Sequence, residues 1–285
     1  MKIGIGLPNQ IRDVSAALIP QWAARAEHAG FSTLATVGRT AYPGVMDTVA
    51  LAGAAAVTST IGLTSTVMLA TVWPPVLLAK ELASIDAMSG GRLTLGLGIG
   101  GNRADDFVVE GLPPRGLGKR FDSDLDVYHS VWRGQPVGGG VNPAVPAGTR
   151  AIPIMFGGMA PAAFERMAKW GEGYIAGSLP AEEVKPFFES ARQAWKDQGR
   201  DGSPKLVAIA YYVFGDARQG RDNVRDYYLA IGAEYADPIS EAIPVGREGV
   251  RAAVEAFAAI GADELIFNPA QPNLDEVDKL AEVVL

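Results

Sequence analysis

The chain has 285 residues, of which none is cysteine and only two are histidine. Without cysteine there are no disulfides, no thiolate catalysis and no thiolate metal sites. The two histidines, His28 and His129, both fall within segments of helical pattern, so neither is expected to act as a general base or a metal ligand. We therefore predict no metal site.

Positive charge and long apolar runs are also scarce. The formal net charge is -7 and no cluster of basic residues occurs, which argues against a nucleic-acid partner. The apolar helical segments carry charges or prolines, so no membrane span is predicted. The run Lys2–Leu7 has a strand pattern and shows none of the features of a signal peptide, so we expect a cytoplasmic location.

Short apolar strands alternate with helical patterns along the chain, which is typical of βαβ units and a parallel sheet. Strands are predicted at Lys2–Leu7, Thr33–Val37, Ile61–Met68, Arg92–Gly98, Ile152–Phe156, Gly173–Ala176, Lys205–Phe214 and Glu264–Asn268. This alternation favours a closed (β/α)₈ TIM barrel of the α/β class over an open sheet. No shift in composition divides the chain, so residues 1–285 are expected to form one domain.

The long segment Gly134–Arg150 is rich in glycine and proline and has no periodicity. Connections of this length in compact domains are often functional. Two interpretations stay open at this stage, a lid over the active site or a mobile surface loop.

In (β/α)₈ barrels the active site lies at the carboxyl ends of the strands. The polar residues that follow predicted strands are Asn9, Arg39, Asn102, Arg103, Asp105 and Asp106. Arg39 can clamp a phosphate, a substrate carboxylate or a cofactor tail, or make a surface salt bridge. Asp105 and Asp106 can act as a base or orient a cation, or else cap a turn or pair with arginine. Arg92 stands at the beginning of its strand, so a structural role is expected.

Glycines mark three of these strand ends. Gly96, Gly98, Gly100 and Gly101 allow the backbone to approach a ligand closely, or simply form a glycine-rich strand end. Gly157 and Gly158 precede a helix that opens at Pro161, which suits either a phosphate contact or a tight turn. Gly177 and Ser178 follow the sixth predicted strand.

Several of these segments together resemble the luciferase-like monooxygenase superfamily. The resemblance is carried by Thr58–Leu63, by Pro74-Pro75 with Leu78-Ala79-Lys80, and most specifically by Ile85-Asp86-Ala87-Met88-Ser89-Gly90-Gly91-Arg92. It continues through the glycine-rich strand end to Asp105-Asp106-Phe107, and again at Ile152–Gly158. It covers residues 1–176 well and the remainder loosely.

The resemblance implies a barrel that binds reduced FMN or the deazaflavin coenzyme F420, with the ring over the barrel mouth. It also implies a non-prolyl cis peptide beneath the ring, near Ser65-Thr66, and a homodimer. The cofactor contacts expected on this basis are Asn9, Ser65, Thr66, Gly98, Gly100, Gly101, Asn102, Gly157, Gly158, Gly177 and Ser178. The expected catalytic residues are Arg39, Asp105 and Asp106.

One departure from the family pattern bears on the reaction. Many oxygen-using members carry a histidine after the second strand, where this chain has Gly38-Arg39-Thr40. This slightly favours F420-dependent hydride transfer to or from a small organic substrate. The alternatives are an FMNH₂-dependent monooxygenase supplied by a separate flavin reductase, and a non-catalytic flavin-binding paralogue. An aldolase would want a lysine at the mouth, and neither Lys80 nor Lys119 ends a strand.

The substrate pocket is expected to be lined by Leu69, Val72, Trp73, Phe107 and the segment Gly134–Arg150. Such a lining predicts an apolar or aromatic substrate.

Overall fold

The computed structural model describes residues 1–100 and 103–285. The strands are β1 (Lys2–Gly6), β2 (Thr33–Thr36), β3 (Gly62–Ser65), β4 (Met68–Leu69), β5 (Leu93–Gly98), β6 (Ile154–Gly157), β7 (Gly173–Ile175), β8 (Lys205–Tyr212) and β9 (Glu264–Pro269). The helices are α1 (Leu18–Ala29), α2 (Asp47–Val57), α3 (Pro75–Met88), α4 (Ala104–Val108), α5 (Leu117–Trp132), α6 (Pro161–Trp170), α7 (Ala181–Asp197), α8 (Ala217–Tyr228), α9 (Ala233–Glu241), α10 (Gly246–Ala259) and α11 (Asp275–Val284). None of the helices in these ranges is long and apolar enough to cross a membrane.

The strands form one closed parallel sheet. Its order is β3-β2-β1-β9-β8-β7-β6-β5-β4, and β3 also pairs with β5, which closes the ring. The predicted third strand is interrupted, so β3 and β4 are two halves of one strand that share β5 as a neighbour. The barrel therefore has eight strand positions, and the predicted (β/α)₈ fold is confirmed.

Alternation along the strands divides the apolar residues between two cores. Val207 and Ile209 of β8 point into the barrel with Met155, Ile175 and Ile266. Ala208 and Ala210 of the same strand face the surrounding helices and belong to the larger core. A strand buried on both faces reads as a continuous apolar run, which is why the strands were easy to predict.

The segment Gly134–Arg150 connects the end of α5 to the start of β6, so it lies at the N-terminal face of the barrel, opposite the mouth. Arg150 anchors it there with two hydrogen bonds to the Asp86 carboxylate, each 2.7 Å long, and a third to the Leu93 carbonyl at 2.8 Å. The expectation that this segment covers the active site and lines the substrate pocket is therefore wrong. A connection that runs from a helix to a strand cannot reach the carboxyl ends of the strands.

Two helices were not predicted. The short α4 follows β5, and α9 carries Pro238 in its interior. Helix α8 begins at Ala217, because the Asp216 side chain caps it by accepting hydrogen bonds from the backbone N–H groups of Arg218 and Gln219.

Arg92 links the chain before β5 to the connection between α2 and β3 at the N-terminal face. Its guanidinium donates to the carbonyls of Ser89 and Ile61, both at 2.6 Å, and to the carbonyl of Thr58 at 2.8 Å. The expected structural role of Arg92 is thus confirmed by its partners, which are all protein atoms.

We expect Arg92→Leu to lower the free energy of unfolding by about 2–4 kcal/mol, because it leaves partly buried carbonyls without a donor. Urea unfolding followed by circular dichroism measures this loss. The matched control is Arg115→Leu, which removes an exposed arginine and should change stability little. Equal unfolding midpoints for the two variants would contradict the structural role of Arg92.

Candidate active site

The mouth of the barrel is organised around the break between β3 and β4. The peptide bond between Thr66 and Val67 is cis, one bond further along than the resemblance implied. Two hydroxyl groups fix the chain on the β3 side of the break. Ser65 Oγ donates to the Gly96 carbonyl at 2.8 Å and accepts from the Gly96 N–H at 3.1 Å, while Thr66 Oγ1 donates to the Thr36 carbonyl at 3.1 Å.

The Val67 side chain lies across the top of the barrel interior, between the ends of β5 and β6. A Cβ atom at Gly98 would lie 3.0 Å from Val67 Cγ2, and one at Gly157 would lie 2.9 Å from Val67 Cγ1. Val67 is itself only partly buried and packs on the interior core. It thus forms an apolar floor at the mouth, which we call the Val67 floor.

The glycines of the β5 strand end make room for neighbouring side chains as well as for any ligand. A Cβ at Gly100, whose φ is +64°, would lie 2.8 Å from Leu69 Cδ2. The expected contacts Gly101 and Asn102 lie outside the described residues.

Open backbone borders the floor on the β6 and β7 side. Gly158 is exposed with φ +133°, and its carbonyl accepts a hydrogen bond from the Tyr174 hydroxyl at 3.0 Å. A Cβ at Gly177 would meet no atom within 4 Å, so this backbone is accessible. Ser178 Oγ lies 3.2 Å from Tyr228 Oη.

A cluster of tyrosines stands beside Ser178. The hydroxyls of Tyr211 and Tyr228 are 3.5 Å apart, and the ring of Tyr227 packs edge-on against those of Tyr42 and Tyr228. Burial raises the pKa of Tyr211 well above its usual value. The Tyr211 phenol therefore keeps its proton near neutral pH.

The predicted catalytic residues Arg39, Asp105 and Asp106 are brought together, as an ion cluster. Arg39 pairs with the Asp105 carboxylate through Nη2 and with Asp106 Oδ2 through Nε at 3.1 Å. Asp106 is fully buried and also accepts the Ala41 N–H at 2.7 Å. This cluster, which we call the Arg39 latch, ties α4 to the loop after β2. Pairing with arginine was the alternative left open for the two aspartates.

Asn9 lies beneath the same loop. Its Nδ2 donates to the Val37 carbonyl at 3.0 Å and the Val45 carbonyl at 3.2 Å, and it lies 3.4 Å from Asp47 Oδ1. Asp47 opens α2 and is almost completely buried. Burial raises the pKa of Asp47 to about 6, although hydrogen bonding from Asn9 acts in the opposite direction.

Asn268 is a second polar group that the sequence-based site did not include. It lies near the end of β9, level with Tyr211 of β8, and is fully buried. A Cβ at Gly6 would lie 2.2 Å from Asn268 Oδ1, so the amide faces β1. Within residues 1–100 and 103–285 neither its Nδ2 nor its Oδ1 has a hydrogen-bond partner. A water or a ligand atom is needed to satisfy it.

Three residues expected to line the substrate pocket, Leu69, Val72 and Phe107, lie together in one apolar cluster. Leu69, Val72, Phe107 and Leu117 are buried against one another, with Trp73 packed at the edge. A cavity of about 510 Å³ lies elsewhere, between the start of α7, the end of β8, and the helices α9 and α10. Its polar lining comes from Ser178, Glu182, Tyr211 and Arg221.

Both histidines lie away from the mouth. His28 is in the last turn of α1 and His129 in the last turn of α5, and these helix ends lie at the N-terminal face. His129 stacks on Trp170 with ring centroids 5.2 Å apart.

Buried Asp47 predicts a specific pH dependence of stability. Its pKa is higher in the folded chain than in the unfolded chain, so the folded state binds the proton more tightly. Its contribution to stability is therefore full below about pH 4 and is lost as the pH rises through about 6, by up to about 3 kcal/mol. Asp47→Asn lacks this loss, so its stability relative to the unmodified protein should increase over that range.

Urea unfolding at a series of pH values measures the difference between the two proteins. Asp126→Asn, which neutralises an exposed carboxylate, is the control and should give a nearly constant difference. A constant difference for Asp47→Asn as well would show that Asp47 titrates normally.

Known proteins resemble the chain at both the sequence and the structural level. The family model described as luciferase-like monooxygenase matches residues 1–266. An uncharacterised protein of Mycobacterium tuberculosis (strain H37Rv) is 31% identical over 173 residues, which cover 56% of this chain and 60% of that protein. A second one from the same strain is 26% identical over 172 residues, covering 57% and 59%. The matched part thus spans about 60% of the length of these relatives.

Solved structures share the whole fold at low identity. An F420-dependent secondary alcohol dehydrogenase in complex with an F420–acetone adduct has a TM-score of 0.80 at 16% identity, covering 100% of this chain and 98% of that one. The monooxygenase RslO1 from Streptomyces bottropensis gives 0.77 at 22%, with the same coverage. The FMN-bound oxygenating constituent of 3,6-diketocamphane monooxygenase from Pseudomonas putida gives 0.75 at 14%, covering 99% and 96%. With the family model matching 266 residues from the first, the chain belongs to the luciferase-like monooxygenase family.

Proposed function

We propose that the protein is an oxidoreductase that binds the deazaflavin coenzyme F420 and transfers hydride from its reduced form to a small organic substrate, or from such a substrate to its oxidised form. The observation that carries the proposal is the Val67 floor, an apolar surface at the barrel mouth bordered by accessible backbone at Gly157-Gly158 and Gly177-Ser178. A flat ring packs on such a floor, and backbone N–H groups at the start of a helix suit a phosphate. The bound cofactor supplies the hydride chemistry, and the chain supplies binding and orientation.

The residues at the mouth fit such a group. We place the ring over Val67, and the phosphate at Gly157, Gly158, Gly177 and Ser178. The unpartnered amide of Asn268 is a polar group that a ring edge or an ordered water can satisfy.

In this proposal, other residues expected to contact the cofactor contact protein atoms instead and hold the site in place. The hydroxyl groups of Ser65 and Thr66 donate hydrogen bonds to backbone carbonyls, and the Asn9 side chain donates one to the loop after β2. Gly98 and Gly100 give space to Val67 and Leu69. We therefore assign these five residues to positioning the floor. Arg39, Asp105 and Asp106 hold α4 in the same way.

The cavity beside Ser178 favours F420 over FMN. It adjoins the proposed phosphate position and has room for a chain beyond the phosphate, which F420 carries and FMN does not. The polar groups next to it include the phenols of Tyr211 and Tyr228 and no histidine within the described residues, and burial raises the pKa of Tyr211 well above its usual value. Hydride transfer by a deazaflavin needs no oxygen-activating residue, so this set of groups is sufficient for it.

An FMNH₂-dependent monooxygenase, supplied by a separate flavin reductase, is the second candidate. The observation in its favour is that the Val67 floor and its glycine border contain nothing specific to a deazaflavin. A homodimer and a cytoplasmic location remain predictions.

Anaerobic titration of the purified protein with FMN and with F420, each oxidised and reduced, tests the proposal by fluorescence quenching. We expect reduced F420 to bind most tightly, by at least about tenfold, because of the contacts beyond the phosphate. Preference for reduced FMN would instead support the monooxygenase. Binding of a flavin without turnover on carbonyl, enone, imine or alcohol substrates would support a flavin-binding paralogue, and no binding would reject all three.

The Val67 floor can be tested directly with Val67→Asp. A carboxylate beneath an apolar ring must be desolvated or displaced, so we expect cofactor affinity to fall by about 100-fold. Val141→Asp is the matched control, because Val141 is 89% exposed in the segment at the opposite face. Val67→Ala, which removes two methyl groups without adding charge, should weaken binding less. Unchanged affinity in a folded Val67→Asp protein would place the ring elsewhere.

A further inference from the structure

Arg103 occupies a defined position at the mouth, between β5 and α4. Its guanidinium carbon lies 5.1 Å from the centroid of the Tyr227 ring and 5.5 Å from that of Tyr228. The Arg39 latch holds α4, and with it the backbone of Arg103, against the loop after β2. The guanidinium is thus held on an aromatic platform, which suits arginine better than lysine because the planar group stacks.

Neither of the acidic residues that follow Arg103 forms a direct ion pair with it, although Asp106 favours its charged form from a distance. Asp105 and Asp106 both pair with Arg39, and no salt bridge to Arg103 occurs within the part of the chain that the structure describes. Arg103 Nη1 is buried and has no hydrogen-bond partner among those same residues. A buried guanidinium donor without an acceptor is costly, and an anionic group from outside would satisfy the donor and pair with the charge at once.

We propose that Arg103 recognises an oxyanion of the substrate, most simply a carboxylate, and so makes the enzyme specific for small organic acids. This proposal rests on the proposed function, since it places the substrate at the same mouth as the cofactor ring. The donors assigned to the cofactor phosphate lie beyond Tyr228, whose hydroxyl contacts Ser178 while its ring carries Arg103. Arg103 contacts the ring face of Tyr228 and Ser178 contacts its hydroxyl, so we assign Arg103 to the substrate and test this assignment against the cofactor phosphate below.

The mechanism gives Arg103 a positioning task and no part in bond making. An N–H pair of the guanidinium donates to the substrate carboxylate, which fixes the substrate against the platform of Tyr227 and Tyr228. The reacting carbon of the substrate is then free to lie over the Val67 floor. The ion pair with the carboxylate also offsets part of the cost of burying the guanidinium charge.

Benzoate and its neutral analogue benzamide serve as probes, because they have nearly the same shape and differ in charge. Calorimetric titrations are carried out on the unmodified protein, Arg103→Gln, Arg103→Lys and Arg115→Gln, each with and without saturating reduced cofactor. Arg115→Gln is matched in charge change but alters an exposed residue outside the mouth. Thermal unfolding shows that each variant is folded.

We expect the unmodified protein and Arg115→Gln to bind benzoate more tightly than benzamide by about tenfold or more. Arg103→Gln should lose this preference, and Arg103→Lys should keep part of it, since charge remains without the planar fork. Absence of the preference in the unmodified protein, or its survival in Arg103→Gln, would overturn the proposal.

A second pair of ligands separates the substrate from the cofactor phosphate. FMN and riboflavin differ by the phosphate, and their ratio of affinities should be the same in Arg103→Gln as in the unmodified protein. If Arg103→Gln loses the preference for FMN while benzoate binding is unchanged, Arg103 holds the phosphate and the proposal is wrong. If no flavin or deazaflavin binds but the benzoate preference still depends on Arg103, the anion site stands and the proposed cofactor function fails.

Discussion

The structure of the barrel mouth depends on how Val67 packs between the ends of β5 and β6. Both strands end in a glycine there, Gly98 and Gly157, so no side chain occupies the space that Val67 fills. Any Cβ at Gly98 or Gly157 would press on the Val67 methyl groups, and a Cβ at Gly96 would lie 2.0 Å from the Ser65 carbonyl oxygen. Ser65 is bonded to Gly96 in both directions, so the chain before the break is locked to β5. Gly96, Gly98 and Gly157 are thus required because the chain at Ser65–Val67 lies so close to β5 and β6. Their lack of side chains leaves Val67 as the apolar floor.

The two ends of the barrel carry different kinds of polar interaction. At the N-terminal face Arg92 and Arg150 bind carbonyls and the Asp86 carboxylate, and these contacts bind connections to the sheet. At the mouth the Arg39 latch has a similar structural role, and it pairs with the two carboxylates that follow Arg103 in the chain. Among the described residues, Arg103 is thereby left without an ion-pair partner, which fits the proposal that it binds a ligand at the active-site face of the barrel.

Much of the fold could be predicted because the strands are buried on both faces and the helices carry clear apolar stripes. The break within Ile61–Met68 could not be predicted from its strand pattern, which is unbroken, because the break depends on contacts with β5. Only the family resemblance indicated a cis peptide close to it, one bond before the observed one. The position of Gly134–Arg150 was within reach, because a helix-to-strand connection in a parallel barrel must lie at the N-terminal face. The glycine- and proline-rich composition of this segment left a lid open as one interpretation. Its place between the end of a helix and the start of a strand argues against a lid over the mouth.

Site residues were harder to predict than the fold, because pairing is a property of three dimensions. Arg39 and its aspartates are 66 and 67 positions apart, so the sequence nominated three catalytic groups where the structure shows one ion cluster. Asp47 carried a usable signal, since an acidic residue that opens the helix after β2 must lie at the mouth.

An unpartnered buried atom does not by itself mark a site, because the Tyr128 hydroxyl on α5 also has no partner among the described residues. What distinguishes Arg103 and Asn268 is their place at the carboxyl ends of strands, next to accessible backbone. A fold can tolerate a buried polar atom without a hydrogen-bond partner at a position where a ligand supplies that partner. Under the proposed function, the cation of Arg103 and the amide of Asn268 are the polar groups at the mouth that a bound ligand would satisfy. In the proposed function, their unmet hydrogen bonds favour a ligand that combines a flat ring with polar edges.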